Sequence, residues 1–171
     1  MVTKEKFKKI LLIFVLLFIT LPLLLPLFKQ GMFVSDDANW MIIRLSDFHR
    51  SFADGQFPVR WGSRLNFEYG YPVYNFLYPG VYYLGEIVHL FKFNFVNSIK
   101  ILFGLSIFCS VIFSFKWLQR FFENFSAFIG SLIYIYFPYH VFDIYKRCSL
   151  GEAIAFSFLP LVLWAIEKNN N

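Results

Sequence analysis

Charge is scarce in this sequence, and so is cysteine. Only 16% of its 171 residues are Asp, Glu, Lys or Arg, against about a quarter in an ordinary soluble domain. Of the two cysteines, Cys109 lies inside an apolar run and Cys148 in a polar loop. No disulfide between them is expected, and no CxxC or Cys/His spacing suggests zinc. Phosphate-loop and nucleophile-elbow spacings are missing. No internal repeat and no low-complexity linker interrupts the chain. A soluble hydrolase fails on composition. The basic residues give a formal net charge of +5, but they form no nucleic-acid stripe. They cluster at the N-terminus and between apolar runs, where they read as topology signals and phosphate ligands.

What is abundant is apolar and aromatic surface. Hydrophobic residues make up 58% of the chain, aromatic ones 23%, and Phe alone occurs 25 times. That composition predicts an integral membrane protein. Lys4, Lys6, Lys8 and Lys9 precede residues 10–28, which carry no charge. A helix of that length spans about 28 Å, close to the hydrocarbon thickness. It is too long for a signal-peptide core and lacks a small-x-small cleavage site, so it reads as an uncleaved first span, kinked by Pro22 and Pro26. The basic flank places the N-terminus in the cytoplasm.

Residues 29–98 then form a long external loop. Ser35 suits an N-cap, with Asp36 and Asp37 in the first helical turn, where carboxylates favour the macrodipole. Met41, Leu45, Phe48 and Phe52 recur at helical spacing, leaving Arg44, Asp47 and Arg50 on the surface. This pattern predicts an amphipathic helix lying in the membrane interface and ending at Asp54-Gly55 and Pro58. An aromatic polar loop follows, from Arg60 through Arg64 to Pro72. Residues 74–90, broken by Pro79-Gly80, read as a second interfacial helix; a membrane crossing is the alternative. Glu86 and His89 share a face there and are expected to meet interfacial water. Trp61 and its Tyr neighbours fit an aromatic belt, or a sugar-stacking surface in the case of Trp61.

Three further spans are expected. The first covers residues 99–115; its apolar run, 101–115, is bounded by Lys100 and Lys116 and is short unless Asn97 and Ser98 extend it. Residues 125–141 return outward after a cytoplasmic turn carrying Lys116, Arg120 and Glu123. Residues 150–166 go back in. The expected fold is thus an all-α membrane protein of about four transmembrane helices, plus interfacial helices in the first external loop, forming one polytopic domain. Because the chain stops at Asn171, just after an apolar segment, it is expected to be the N-terminal part of a larger protein or a naturally short relative.

The two external loops hold the chemistry. Adjacent carboxylates beside a bilayer can bind a divalent cation or accept a proton from a hydroxyl. Lys146 and Arg147 at the same level can hold a phosphate, Arg bidentately. Snorkelling anchors, helix caps and an Arg147–Glu152 ion pair are the structural alternatives. His49, His89 and His140 are isolated from one another in sequence and predict no shared metal site.

Asp36-Asp37, then Asp47-Phe48-His49 and Phe67-x-Tyr69-Gly70-Tyr71-Pro72, resemble the N-terminal part of the GT-C superfamily of integral-membrane glycosyltransferases. They resemble in particular bacterial membrane proteins described as related to 6-pyruvoyl-tetrahydropterin synthase, a name that implies no pterin chemistry here. Pro138-Tyr139-His140 through Tyr145-x-Arg147 and Leu150-Gly151-Glu152 resemble that group's second-loop signature. The resemblance implies a GT-C-like core in the bacterial plasma membrane, with external active loops. It implies transfer of a sugar from a polyprenyl-phosphate donor to an external acceptor. Asp36 or Asp37 would be the catalytic base or would hold Mg or Mn. Arg147 and Lys146 would contact donor phosphate, with Glu152, His140, His49 and Arg64 completing the substrate site. Partners would be the lipid-linked donor, membrane lipids, and a missing C-terminal part or second membrane subunit; no nucleic acid is expected. A non-catalytic scaffold, or a transport or flippase subunit for lipid-linked glycans, is the alternative. Such enzymes have more crossings than this chain, which leaves its activity alone in question.

Overall fold

The computed structural model describes residues 2–169. The described residues are helical apart from connecting loops and one isolated antiparallel bridge, between Gly62 and Tyr71. Three helices are long and apolar enough to cross a membrane: α1 (Val2–Phe28, apolar from Lys6), α5 (Phe95–Leu118) and α8 (Leu150–Asn169). A fourth crossing is available if α6 (Asn124–Tyr136) joins the segment Pro138–Arg147. The remaining helices are short: α2 (Ala38–Ala53), α3 (Val73–Phe76), α4 (Gly80–Leu90) and α7 (Pro138–Phe142).

Several boundaries differ from expectation for identifiable reasons. The span expected at 99–115 begins four residues earlier. Asn94 caps it, its side chain accepting from the Asn97 amide at 2.8 Å, which satisfies a free helix-start donor. Lys100 does not end the apolar run, because its ammonium folds onto the carbonyls of Lys29 and Gly31 at 2.5 and 2.9 Å. The span expected at 125–141 is broken. Phe137 is extended (ψ 131°), as a residue preceding proline tends to be, and Pro138 starts a new axis bent by 41°. Five residues, Asp143–Arg147, then form a π-helical turn. Pro22 and Pro26 lie within one continuous α1.

Direction follows from cross-helix bonds. Tyr136 donates to the Ile19 carbonyl at 2.6 Å and Tyr145 to that of Leu23, so α1 and α6 run parallel. Tyr134 donates to the Phe156 carbonyl at 2.6 Å, setting α8 antiparallel to α6. Arg120 reaches the Glu167 carbonyl at 3.4 Å. The end of α1, the starts of α5 and α8, and the π-helical turn therefore share one end of the bundle. Lys116, Arg120 and Lys168 share the other.

At the first end, α2 and α4 pack on each other and on α5. Met41, Leu45 and Phe48 are buried as the spacing predicts. Phe48 meets Tyr74, Tyr82 and Tyr83 with ring centroids 4.7–5.9 Å apart. Asp47, expected on the surface, is buried and accepts from the Arg64 amide at 3.0 Å and the Tyr74 hydroxyl at 2.9 Å. Burial and the neighbouring Asp47 push the Tyr74 phenol well above its ordinary range. The α4 helix has only 11 residues and is not among the helices long enough to cross.

Candidate functional site

Asp36 and Asp37 precede α2 rather than occupying its first turn. Asp37 stands at the N-cap position, and its side chain makes no capping bond. Their backbone is committed elsewhere: the Asp36 amide donates to the Lys146 carbonyl at 2.8 Å and the Asp37 amide to that of Arg147 at 3.2 Å. This two-bond ladder lays the first loop along the π-helical turn, although the two segments lie 110 residues apart. A π-helical turn widens the helix by one residue per hydrogen-bonded ring, and such bulges recur at functional sites.

The side chains at this junction form two adjacent sets of contacts. Lys146 Nζ donates to Asp36 Oδ1 at 2.7 Å, an exposed pair. Arg147 gives its fork to Glu152, with Nη1–Oε2 and Nη2–Oε1 both 2.8 Å. The same Nη1 reaches Asp143 Oδ1 at 2.8 Å and the Tyr139 hydroxyl at 3.1 Å. Tyr139 and Ser149 hydroxyls donate to Glu152 at 3.2 and 3.3 Å. Asp143 is wholly buried, and its Oδ2 has no hydrogen-bond partner among the described residues. Three carboxyls thus face two cations, and Asp37 next to them makes the balance more acidic.

Within that balance the two adjacent acids differ. Asp36 is held by Lys146. The Asp37 carboxylate, half-buried, takes part in no hydrogen bond or ion pair among the described residues. Cys148 beside it lies in the loop after the π-helical turn, as expected, but is fully buried and in the left-handed region (φ 60°). Burial pushes its thiol up to about 12. Tyr78 packs so closely on Gly151 that a Cβ there would overlap its ring, which ties the α3–α4 connection to the start of α8.

The remaining expected site residues are dispersed. His140 is buried between the rings of Phe156 and Tyr134, centroids 5.0 and 5.5 Å away, and its Nε2 has no partner among the described residues. It hydrogen-bonds none of the junction carboxylates. His49 lies about 16 Å along α2 from its start. There its Nδ1 contacts the buried Glu86 carboxylate at 2.9 and 3.1 Å, so Glu86 does not meet interfacial water. His49 and His89 rings stand 4.6 Å apart, and both line a cavity of about 670 Å³ with Arg50 and Arg64. His49 and Arg64 therefore belong to a second cluster.

Asp143, Tyr139 and Ser149 are junction members to which the sequence reading assigns no site role, although Asp143 is among the acids of the second loop. The i, i+4 spacing of Asp143 and Arg147 was a legible signal. Tyr139 was not, since its role depends on the bend at Pro138. Among the described residues, no three His, Cys, Asp or Glu side chains are grouped to hold a metal ion. Comparisons with protein-family models, curated proteins and solved structures give no match for this chain.

Proposed function

We propose that the chain is a GT-C-like membrane glycosyltransferase, or the N-terminal part of one, moving a sugar from a polyprenyl-phosphate donor to an external acceptor. The observation that carries this reading is the meeting of Asp36 and Asp37 with the Lys146–Arg147 turn at one end of the apolar bundle. The opposite end carries Lys116, Arg120 and Lys168, and the first helix begins with lysines. By the positive-inside rule that end is cytoplasmic, and the junction faces outward in a bacterial plasma membrane. The short helices α2 and α4 would then lie in the outer interface.

The roles divide by how each group is already engaged. Asp37, with its carboxylate free, is the general base: it takes the acceptor hydroxyl's proton as the acceptor oxygen bonds to the sugar's anomeric carbon. The bond from that carbon to the donor phosphate oxygen breaks, and the lipid phosphate leaves with the electron pair. Lys146 is exposed and can swing from Asp36 to that phosphate. Arg147, whose fork Glu152 occupies, is a positioning residue rather than a phosphate ligand. A Mg or Mn ion at Asp36 and Asp37 would have to displace Lys146 from Asp36. A saturated Arg147 network also favours a second reading, a scaffold or transport subunit for lipid-linked glycans that needs no base.

Transfer assays on the full-length protein with a polyprenyl-phosphate sugar separate the two readings. Asp37→Asn is expected to lower turnover by about 10²- to 10⁴-fold at unchanged membrane abundance, and Asp36→Asn by less. Undiminished transfer by Asp37→Asn would remove Asp37 as the base, whereas no transfer by the wild-type protein would leave the scaffold.

A further inference from the structure

A groove between α1 and α5 sits at the same end of the bundle as the junction but does not belong to it. Its volume is about 720 Å³. Its lining includes apolar Leu24, Phe28 and Phe108 and polar Lys29, Asn97 and Lys100. No Asp or Glu lines it.

Lys100 is the unusual member. It is only 7% exposed, and among the described residues it pairs with no carboxylate. An ammonium has three donors. Two go to the Lys29 and Gly31 carbonyls, and the third has no protein partner among the described residues. Carbonyls satisfy hydrogen bonds but supply no counter-charge, and a buried charge without one is costly. The missing complement is a single anion with oxygen acceptors beside the lysines, joined to an apolar body against the apolar lining.

We propose that this groove binds an anionic phospholipid, its phosphate diester accepting from Lys100 and Lys29 and one acyl chain lying along Leu24, Phe28 and Phe108. Depth agrees with the assignment. Lys100 lies in the second turn of a span, level with the end of α1, where headgroups of the same leaflet lie. A phosphate diester also accepts charge-assisted bonds from both lysines without competing with the carbonyls. The proposal is independent of any transfer reaction at the junction.

Gly104 offers a variant that tests the apolar lining without touching charge. A Cβ there would meet only Leu27, at an ordinary 3.7 Å, so Gly104→Leu fills the groove without a backbone clash. The full chain is reconstituted in nanodiscs of equal phosphatidylglycerol and phosphatidylcholine, and lipids retained on the protein are counted by native mass spectrometry. Wild type is expected to keep one phosphatidylglycerol, enriched at least about fivefold over phosphatidylcholine. Lys100→Met and Gly104→Leu are both expected to bring the ratio to parity with helical content unchanged, while Lys100→Arg retains it. Equal retention of the two lipids by wild type overturns the proposal. So does full preference in either Lys100→Met or Gly104→Leu, or an equal loss in Lys116→Gln at the other end of the bundle. Release of the lipid by excess inorganic phosphate would assign the lysines to the free anion and also overturn it.

Discussion

The junction around Arg147 and the groove under Lys100 lie at the same end of the bundle, yet they treat charge in opposite ways. At the junction, Asp143 and Glu152 share one guanidinium and Lys146 takes Asp36, so the cations are consumed inside the protein. In the groove the buried ammonium meets carbonyl dipoles alone. The difference teaches that the position of a cation beside a membrane does not assign its role. Its existing partners do. Arg147, the expected phosphate ligand, is occupied, whereas Lys100, which reads in sequence as a span boundary, retains a donor.

The contrast breaks most visibly if Arg147 is removed. Arg147→Met leaves Asp143 buried without its cation, which is the costly way to disrupt a buried pair. A drop in apparent melting temperature on the order of 10 °C is expected in detergent. Lys100→Met, in the same assay, is expected to cost clearly less, since the carbonyls it leaves can accept water or lipid donors. Adding Asp143→Asn and Glu152→Gln to Arg147→Met should restore part of the loss. Strict additivity of the three changes would show that they are not one network.

A smaller effect sharpens how the junction is held. Gly151→Ala places a methyl group against the Tyr78 ring, and overpacking of this kind typically costs about 1–3 kcal/mol. The accompanying Tyr78→Ala change should recover most of it, as read by thermal unfolding of the double variant. Recovery would establish that the loss arises at the contact between Tyr78 and Gly151.

The smallest effect is a rate. Cys148 is buried and its thiol is pushed up to about 12 by that burial. With the folded value raised, the stability contribution of the neutral thiol is complete below the ordinary thiol range. It is lost only as pH rises toward about 12. Maleimide labelling of folded protein should therefore remain slow from pH 7 to 9 and become rapid on unfolding. Rapid labelling of the folded chain would mean that the π-helical turn opens readily.

Much of the architecture was legible because the bilayer imposes it. Residues 10–28 are uncharged, and the Met41, Leu45, Phe48 stripe repeats at helical spacing; both features are local. The errors arose where a polar residue found a distant partner. Lys100 looked like a helix end because its carbonyl acceptors lie about 70 positions earlier. Asp47 and Glu86 looked exposed because Tyr74 and His49, which bury them, come from other elements. Arg64 and His49 were grouped with Asp36 on loop membership alone, and α2 carries them away from it.

By itself the sequence determined an apolar, helical chain with three to four segments able to cross a membrane, its acids concentrated between those segments. Hydrophobic length and charge are additive along a chain, so they need no partner to be read. Only the tertiary structure decided that Asp36 and Asp37 lie against Lys146 and Arg147, that Arg147 is already taken, and that Lys100 is buried. Each of these depends on which groups share a few ångströms of low-dielectric space. That is set by how helices pack and where Pro138 turns the chain.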